Sequence, residues 1–184
     1  MLLDKAVSSV SEADLALMRK VHQWPAPTWV RWWMLASTRG GDGWFWAFCG
    51  IAVLASHDAD KCAAFLAAAI AAASGILLFT VLKRAVGRRR PCALEPHCWA
   101  TLLPADQFSF PSGHAITAFA VAVPLSLFYP AAAPVLLAVA ATVGVSRIML
   151  GMHFLTDVIA GAAIGSLLGA VAYHVVVSNG PRLL

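Results

Sequence analysis

His153 and Asp157 have an evident chemical use, because both interrupt an otherwise apolar stretch, HFLTDVIAGAAIG (153–165). On a helix, a spacing of four residues puts both side chains on one face, so the carboxylate can accept a hydrogen bond from one ring nitrogen and fix the tautomer. The other ring nitrogen is then free to act as a nucleophile or a base. A purely structural hydrogen bond is the alternative interpretation of this pair.

A second histidine, His114, ends the motif PSGH (111–114), directly before the apolar run AITAFAVAVPLSLFY. An ionisable residue at the start of a membrane helix is costly to keep, and this cost favours a function. Ser112 can serve as a helix N-cap without further meaning. The same helix start presents backbone N–H groups to an anion, with Gly113 allowing close approach and Ser112 adding a hydroxyl donor.

Three basic residues, Lys83, Arg90 and Arg147, can each be anchors whose charged ends extend to the lipid headgroups. Arg147 fits this interpretation poorly, because it interrupts an apolar run that continues on both sides. Three cations around one point make a strong anion site, and phosphate is the usual ligand of such a cluster. The anchor interpretation is preferred for three further arginines, Arg84, Arg88 and Arg89.

The composition is that of an integral membrane protein. Of the 184 residues, 60% are hydrophobic and 12% are charged, and the mean hydropathy is +0.77. These values exclude an ordinary soluble domain and make nucleic-acid binding a poor interpretation, because most of the surface must face lipid. Residues 1–23 lack a sustained apolar core, so we expect no cleavable signal peptide and insertion by the transmembrane helices themselves. We expect one domain (1–184), with an interfacial segment (1–40) and the candidate catalytic motifs in 83–157.

The apolar pattern predicts an all-α, polytopic membrane helical bundle with an N-terminal amphipathic helix (11–23) that lies along the membrane. Tryptophans follow this helix, as is typical of a bilayer interface. Five transmembrane helices are predicted, over 43–56, 62–83, 114–129, 132–150 and 154–177. A sixth span through 27–38 would have to accommodate Arg31 and Arg39. The last span carries a small-residue face suited to close helix packing, formed by Gly161, Gly165 and Gly169.

The direction of consecutive spans alternates, and this alternation brings distant polar residues to one side of the bilayer. The second span ends at Lys83, the third begins at His114, the fourth ends near Arg147, and the fifth begins at His153. The polar loop 84–111 lies on the same side. Topology alone therefore predicts that these groups meet at one membrane face.

Four cysteines allow several interpretations. Cys49 and Cys62 lie in or beside apolar runs and are most simply small core residues. Cys92 and Cys98 share the polar loop PCALEPHC. A disulfide between them, which would imply an oxidising compartment, is the first interpretation; free thiols are the second, and a metal site with His97 is the third.

Three stretches of the chain together resemble the motifs of the type 2 phosphatidic acid phosphatase (PAP2) family. KRAVGRRRP (83–91) resembles its first motif, a lysine followed after six residues by arginine-proline, and PSGH (111–114) is similar to its second. SRIMLGMHFLTD (146–157) resembles the third: serine-arginine, five residues, histidine, three residues, aspartate. The three occur in the family's order, and the remaining spans fit its helical bundle.

The resemblance implies a mechanism without a metal or cofactor. His153 would attack phosphorus to form a phosphohistidine, Asp157 would orient it, and His114 would protonate the leaving oxygen and later activate water. The oxygens of the transferring phosphoryl group would be held by Lys83, Arg90, Arg147, Ser112 and Gly113. These cations would supply the electrostatics that magnesium supplies in other phosphoryl-transfer enzymes.

The resemblance also implies a membrane lipid phosphate as substrate: phosphatidic acid, phosphatidylglycerol phosphate, or a polyprenyl phosphate or diphosphate. The short chain is similar to compact bacterial members, including undecaprenyl-diphosphate phosphatases. A phosphotransferase with the same intermediate and a non-catalytic phospholipid-binding protein are the alternatives. The family implies a site on the periplasmic face of the bacterial inner membrane, whereas the excess of Lys and Arg on that side favours the cytoplasmic face.

Overall fold

The computed structural model describes the backbone of residues 2–95 and 106–183, and the side chains of residues 12–95 and 106–179. The described chain is all-α, as predicted. Its helices are α1 (Leu2–His22), α2 (Thr28–Gly40), α3 (Trp44–Ala55), α4 (Lys61–Val86), α5 (Pro91–Leu94), α6 (Gly113–Phe128), α7 (Ala133–Met149) and α8 (Leu155–Leu183). A short 3-10 turn, Pro130–Ala132, leads into α7.

Helix α6 lies at the centre of the bundle, packed against α4, α7 and α8. The predicted small-residue face of α8 is confirmed, because a Cβ on Gly165 would lie 2.3 Å from the Ile116 carbonyl oxygen and one on Gly161 would lie 2.7 Å from that of Ser112. Such distances leave no room for any side chain, so the two helix backbones are in direct contact. This contact fixes the first turn of α8 beside the first turn of α6.

Small residues also let α4 approach α6. Ala64, Ala67 and Ala71 on α4 are almost fully buried. Further along the same helix, a Cβ on Gly75 would lie 2.7 Å from Cγ2 of Ile116. The three central helices are therefore packed through alanine and glycine faces rather than through large interlocking side chains.

Three helical segments are long and apolar enough to cross a membrane, namely Lys61–Val86, Pro130–Met149 and Leu155–Asn179. Two shorter apolar helices, Trp44–Ala55 and Gly113–Phe128, fall on the first and third predicted spans. The helical bundle and three of the five predicted transmembrane helices thus agree with the prediction from sequence. The total of five transmembrane helices remains a prediction. Helix α2 coincides with the sixth candidate span, but its 13 residues extend only about 20 Å, less than a hydrocarbon core of about 30 Å.

The N-terminal segment carries both exposed aromatic and buried charged residues. Helix α1 is longer than the predicted 11–23, and it contacts α7 and α8. Asp14 and Met18 are its buried side chains among those described. Trp29 and Trp32 on α2 are each about two-thirds exposed to the surroundings of the bundle, as an interfacial tryptophan would be.

Candidate active site

Three helix ends and the turn before α8 surround the polar part of one cavity of about 620 Å³. The C-terminal ends of α4 and α7 and the N-terminal end of α6 contribute to its polar part, together with the turn that precedes α8. The charged and imidazole groups that line it are Asp42, Lys83, Arg90, Asp106, His114, Arg147 and His153. Five of these seven were singled out in the sequence, whereas Asp42 and Asp106 were not.

His153 lies in the turn between α7 and α8, and its side chain is 1% exposed. Its Nε2 atom is 3.2 Å from Nη1 of Arg90, and its Nδ1 atom is 3.7 Å from Oδ2 of Asp157. The predicted hydrogen bond to Asp157 is therefore longer than a hydrogen bond should be, although the two groups face each other. Burial lowers the pKa of His153 to about 3, with Asp157 opposing the shift and Arg90 adding to it. The imidazole is thus neutral near pH 7 and keeps a lone pair for attack.

Asp106 pairs with two of the predicted phosphate-binding cations. Its carboxylate oxygens lie 2.5 Å from Nζ of Lys83 and 2.8 Å from Nη2 of Arg90, and Arg90 Nε also donates to the Asp106 carbonyl. Burial would raise the pKa of the Asp106 carboxyl, but the hydrogen bonds from Lys83 and Arg90 outweigh it and lower the pKa below its usual value. An anionic carboxylate thus occupies the place where a phosphate oxygen would meet these cations.

Arg147 is 7% exposed, and it is hydrogen-bonded to a residue of the N-terminal segment. Its Nη1 donates to the hydroxyl of Thr38 on α2. Its Nε is buried and has no hydrogen-bond partner among the residues that the structure describes. A buried cationic donor without an acceptor is costly, so an anion entering the cavity would relieve that cost.

His114 is paired with Asp42, which comes from the turn between α2 and α3. His114 Nε2 lies 2.7 Å from Asp42 Oδ1, and the two side chains are 25% and 40% exposed. The turn reaches this position because of its glycines: a Cβ on Gly41 would lie 3.1 Å from Cδ2 of His114, and Gly43 has a φ of +110°. The sequence GGDG (40–43) predicts a tight turn, but the pairing of Asp42 with His114 could not be predicted from local spacing.

Ser112 and Gly113 have different positions relative to the cavity. Gly113 lines it, as expected of a helix start that faces an anion. Ser112 is fully buried, and its hydroxyl accepts from the backbone N–H of Ala115 at 3.5 Å, so it acts as the N-cap of α6. The observed contact of Ser112 is therefore that of a helix N-cap.

The anchor interpretation of Arg88 is wrong. Instead of extending to lipid, Arg88 donates to Asp157 Oδ1 and to Asp14 Oδ2, both at 2.7 Å. Its guanidinium carbon also lies 4.1 Å from the centre of the Phe154 ring. Arg88 therefore pairs with two buried carboxylates instead of lipid headgroups. These contacts are long-range in the sequence, so local spacing does not predict them. Arg84 and Arg89, by contrast, are exposed as an anchor would be.

The cysteine prediction falls partly outside the described residues. The predicted partner of Cys92, Cys98, lies in 96–105, outside the described residues, as does His97. The disulfide therefore stays a prediction. Within 12–95 and 106–179, no three His, Cys, Asp or Glu side chains gather as a metal site would require.

Comparison with known proteins gives the family of the chain. The model of the PAP2 superfamily matches residues 63–181, and the chain belongs to this superfamily. The lipid A 1-phosphatase of Rhizobium etli is 39% identical over 104 residues, which are 53% of this chain and 45% of the relative. The phosphatidylglycerophosphatase B of Bacillus subtilis is 37% identical over 103 residues, covering 50% of this chain and 48% of the relative. The chain thus spans about half the length of these relatives.

A longer match is to the decaprenylphosphoryl-5-phosphoribose phosphatase of Mycobacterium tuberculosis, 33% identical over 146 residues, or 75% of this chain and 78% of the relative. Two solved structures share the fold. The PAP2-type phosphatidylglycerolphosphate phosphatase of Bacillus subtilis aligns with a TM-score of 0.70 and 26% identity, over 96% of this chain and 88% of the other. LpxE of Aquifex aeolicus aligns with a TM-score of 0.68 and 26% identity, over 87% and 94%.

Proposed function

We propose that the protein is a metal-independent phosphatase that removes phosphate from a membrane lipid through a phosphohistidine intermediate. The observation that supports this most is that two histidines and three cations line one end of a single cavity whose other part is lined mainly by apolar side chains. Such a cavity matches an amphiphile with a phosphoryl group at one end. The relatives are named as phosphatases of lipid A, phosphatidylglycerophosphate and a decaprenylphosphoryl sugar, which agrees with a lipid phosphate.

In the first step, Nε2 of His153 attacks phosphorus, and the P–N bond forms as the P–O bond to the lipid breaks. Lys83, Arg90 and Arg147 neutralise the oxygens of the transferring group, a task done by positioned cations in phosphoryl transfer. Asp157 faces Nδ1 of the attacking ring, so its charge stabilises the imidazolium of the intermediate. Asp106 moves off Lys83 and Arg90 as the phosphate oxygens replace its carboxylate.

His114 moves the protons. His114 enters the cycle as the protonated acid, and the Asp42 carboxylate, 2.7 Å from its Nε2, balances the charge of the ring. His114 then gives its proton to the leaving oxygen and becomes neutral. In the second step it takes a proton from water, which attacks phosphorus as the P–N bond breaks, and phosphate leaves with His153 neutral again.

The apolar part of the cavity runs between α3, α4 and α6. On α4, Phe65, Ala72 and Phe79 lead to Lys83 along one stripe, and 18 residues between Phe65 and Lys83 correspond to about 27 Å of helix. A groove of that length, beginning at the cations, fits an aliphatic chain whose phosphate lies at headgroup level. We infer that polyprenyl and diacyl lipid phosphates are the substrate class.

A lipid phosphotransferase is the second candidate, because the same phosphohistidine could be attacked by another acceptor instead of water. The partly exposed Asp42–His114 pair favours hydrolysis, since water can reach it from the cavity. Product analysis with and without an acceptor lipid separates the two functions. Turnover that requires the acceptor would establish transfer. A protein that binds a lipid phosphate but never turns it over would fit the third alternative, non-catalytic binding.

For localisation, we propose the inner membrane with the cavity at the periplasmic face, the side that the family resemblance implies. The positive charge on the cavity side favours the cytoplasmic face instead. A protease site inserted in the exposed loop 57–60, which is expected on the opposite face, decides between them. Cleavage in intact spheroplasts would place the cavity in the cytoplasm, and protection there with cleavage after lysis would place it in the periplasm.

The decisive test of the function is a substrate panel assayed in the presence of a chelator. The purified protein should release phosphate from at least one of polyprenyl diphosphate, polyprenyl monophosphate, phosphatidic acid and phosphatidylglycerol phosphate. Activity that appears only with added divalent metal would contradict the mechanism, because the cavity cations would then be insufficient on their own.

A further inference from the structure

Asp14, on α1, is buried among charged groups and lies outside residues 63–181, the part matched by the family model. Its side chain is 3% exposed, although Glu12 on the same helix is exposed. Oδ2 accepts from Arg88 Nη2 at 2.7 Å and from the Thr156 hydroxyl, and Oδ1 accepts from the Thr156 backbone N–H at 3.2 Å. All of these contacts link α1 to residues of the first and third motifs.

Arg88 connects Asp14 to the partner of the nucleophile. While Nη2 of Arg88 donates to Asp14, its Nη1 donates to Asp157 Oδ1 at 2.7 Å. The other oxygen of Asp157 faces His153 Nδ1 at 3.7 Å. Asp14, Arg88, Asp157 and His153 therefore form one continuous row of ionisable groups.

We propose that Asp14 is a positioning residue for the reaction and that it acts through Arg88. Because Asp14 shares the positive charge of Arg88, Asp157 keeps enough negative charge to stabilise the His153 ring when that ring becomes positive. This inference rests on the proposed role of His153 as nucleophile. With two carboxylates and one guanidinium, the row behind His153 has a net charge of −1. The imidazolium of the phosphohistidine then completes a neutral group.

The net charge of the row explains why a negative charge at Asp14 is needed. Without Asp14, Arg88 and Asp157 would cancel each other, and the imidazolium would add an uncompensated positive charge at a buried position. Charges interact strongly in such surroundings, because there is little water to screen them. Asp14 also accepts from a backbone N–H in the first turn of α8, where a negative charge is favoured.

The test compares four variants: Asp14→Asn, Arg88→Gln, the double variant that combines both, and Glu12→Gln as the exposed control on α1. Asp14→Asn should lower kcat about ten-fold with KM nearly unchanged, because the loss falls on the charged intermediate. Arg88→Gln removes the positive charge between two buried carboxylates, and we expect it to be the least stable variant. The double variant restores a net charge of −1 through Asp157 alone, so its kcat should exceed that of Asp14→Asn several-fold.

A second readout does not depend on phosphatase activity. Acylation of His153 by diethyl pyrocarbonate, followed by mass spectrometry, also builds positive charge on the ring, so its rate should fall in Asp14→Asn and recover in the double variant. Thermal unfolding and helical content identify variants that have lost their fold.

Recovery of acylation in the double variant, in a protein that releases no phosphate from any lipid, would support the positioning role and contradict the phosphatase function. The proposal would be overturned if Asp14→Asn matched Glu12→Gln in both readouts. It would also be overturned if the double variant were as slow as Asp14→Asn, because Asp14 would then only attach α1 to the bundle.

Discussion

Two histidine–aspartate pairs lie at the cavity, and they differ in origin and in exposure. His153 and Asp157 lie four residues apart on either side of a helix start, and both side chains are essentially buried. His114 and Asp42 are 72 residues apart and come from different elements, and both remain partly exposed. In the first pair, His153 lines the cavity and Asp157 lies behind it, whereas both residues of the second pair line the cavity and are partly exposed.

This difference matches two separate chemical tasks. A nucleophile benefits from burial, because a ring that is kept neutral retains its lone pair and water cannot compete for the phosphoryl group. An acid–base group has to exchange protons with its surroundings in every cycle, and an exposed partner allows this. The comparison predicts that damage to the buried pair stops the reaction, while damage to the exposed pair slows it.

The largest effect is expected for His153→Gln. Without the nucleophile no phosphohistidine can form, so phosphate release from the best lipid of the panel should fall by roughly 10³-fold or more. Binding of vanadate, which probes the cations, should survive in this variant. Residual activity near the wild-type level would contradict the assignment of the two pairs.

His114→Asn should lower lipid turnover by about 10²–10⁴-fold, the usual contribution of a general acid–base group. An activated ester such as p-nitrophenyl phosphate needs no acid for its leaving group, so it should still phosphorylate the enzyme. Water would then lack its base, and phosphorylated His153 should accumulate and be visible by mass spectrometry. Phosphate on His114 instead would reverse the two roles.

A smaller effect is expected for Asp42→Asn. Because Asp42 is 40% exposed, water can partly replace its carboxylate beside His114, and we expect kcat to fall only about ten-fold. With p-nitrophenyl phosphate the first step needs no acid, so the loss should fall on the second step and phosphorylated His153 should accumulate, as in His114→Asn. A loss of activity without any accumulation of phosphorylated His153 would mean that Asp42 shapes the turn rather than the proton path.

The smallest effect concerns stability. Since the pKa of His153 is lowered to about 3 in the folded state and is near 6.5 when unfolded, only the unfolded chain binds this proton between those values. Stability should therefore fall as the pH falls below about 6.5, by up to about 2 kcal/mol at pH 5 from this group. Thermal unfolding in detergent at pH 7.5 and pH 5 should show a smaller difference for His153→Gln than for wild type. The control His57→Gln, in an exposed loop, should behave as wild type.

The sequence predicted the parts of the site that depend on local spacing. The His153–Asp157 pair and the helix start at Gly113 follow from the period of a helix and from helix capping, and alternating spans correctly place them at one end of the bundle. Thr38, Asp42 and Asp106 could not be predicted in the same way. Each was one of several polar residues in a turn or helix end, and only the folded structure selects its cationic or imidazole partner.

Arg88 is another residue whose contacts could not be predicted from local spacing. Its position in the run of arginines made it equivalent to Arg84 and Arg89, which are exposed. What separates it is a pair of carboxylates that lie 74 and 69 residues away along the chain.

If the proposed function holds, the backbone contact at Gly165 limits how the protein could adapt to new lipids. Because α6 and α8 touch without intervening side chains, the gap between His153 and His114 cannot widen unless the two helices separate. Helix α3 has no such restraint, and one side of the aliphatic groove is formed by its residues. Divergence in chain preference should therefore accumulate in α3, leaving the distance between the two reactive rings unaltered.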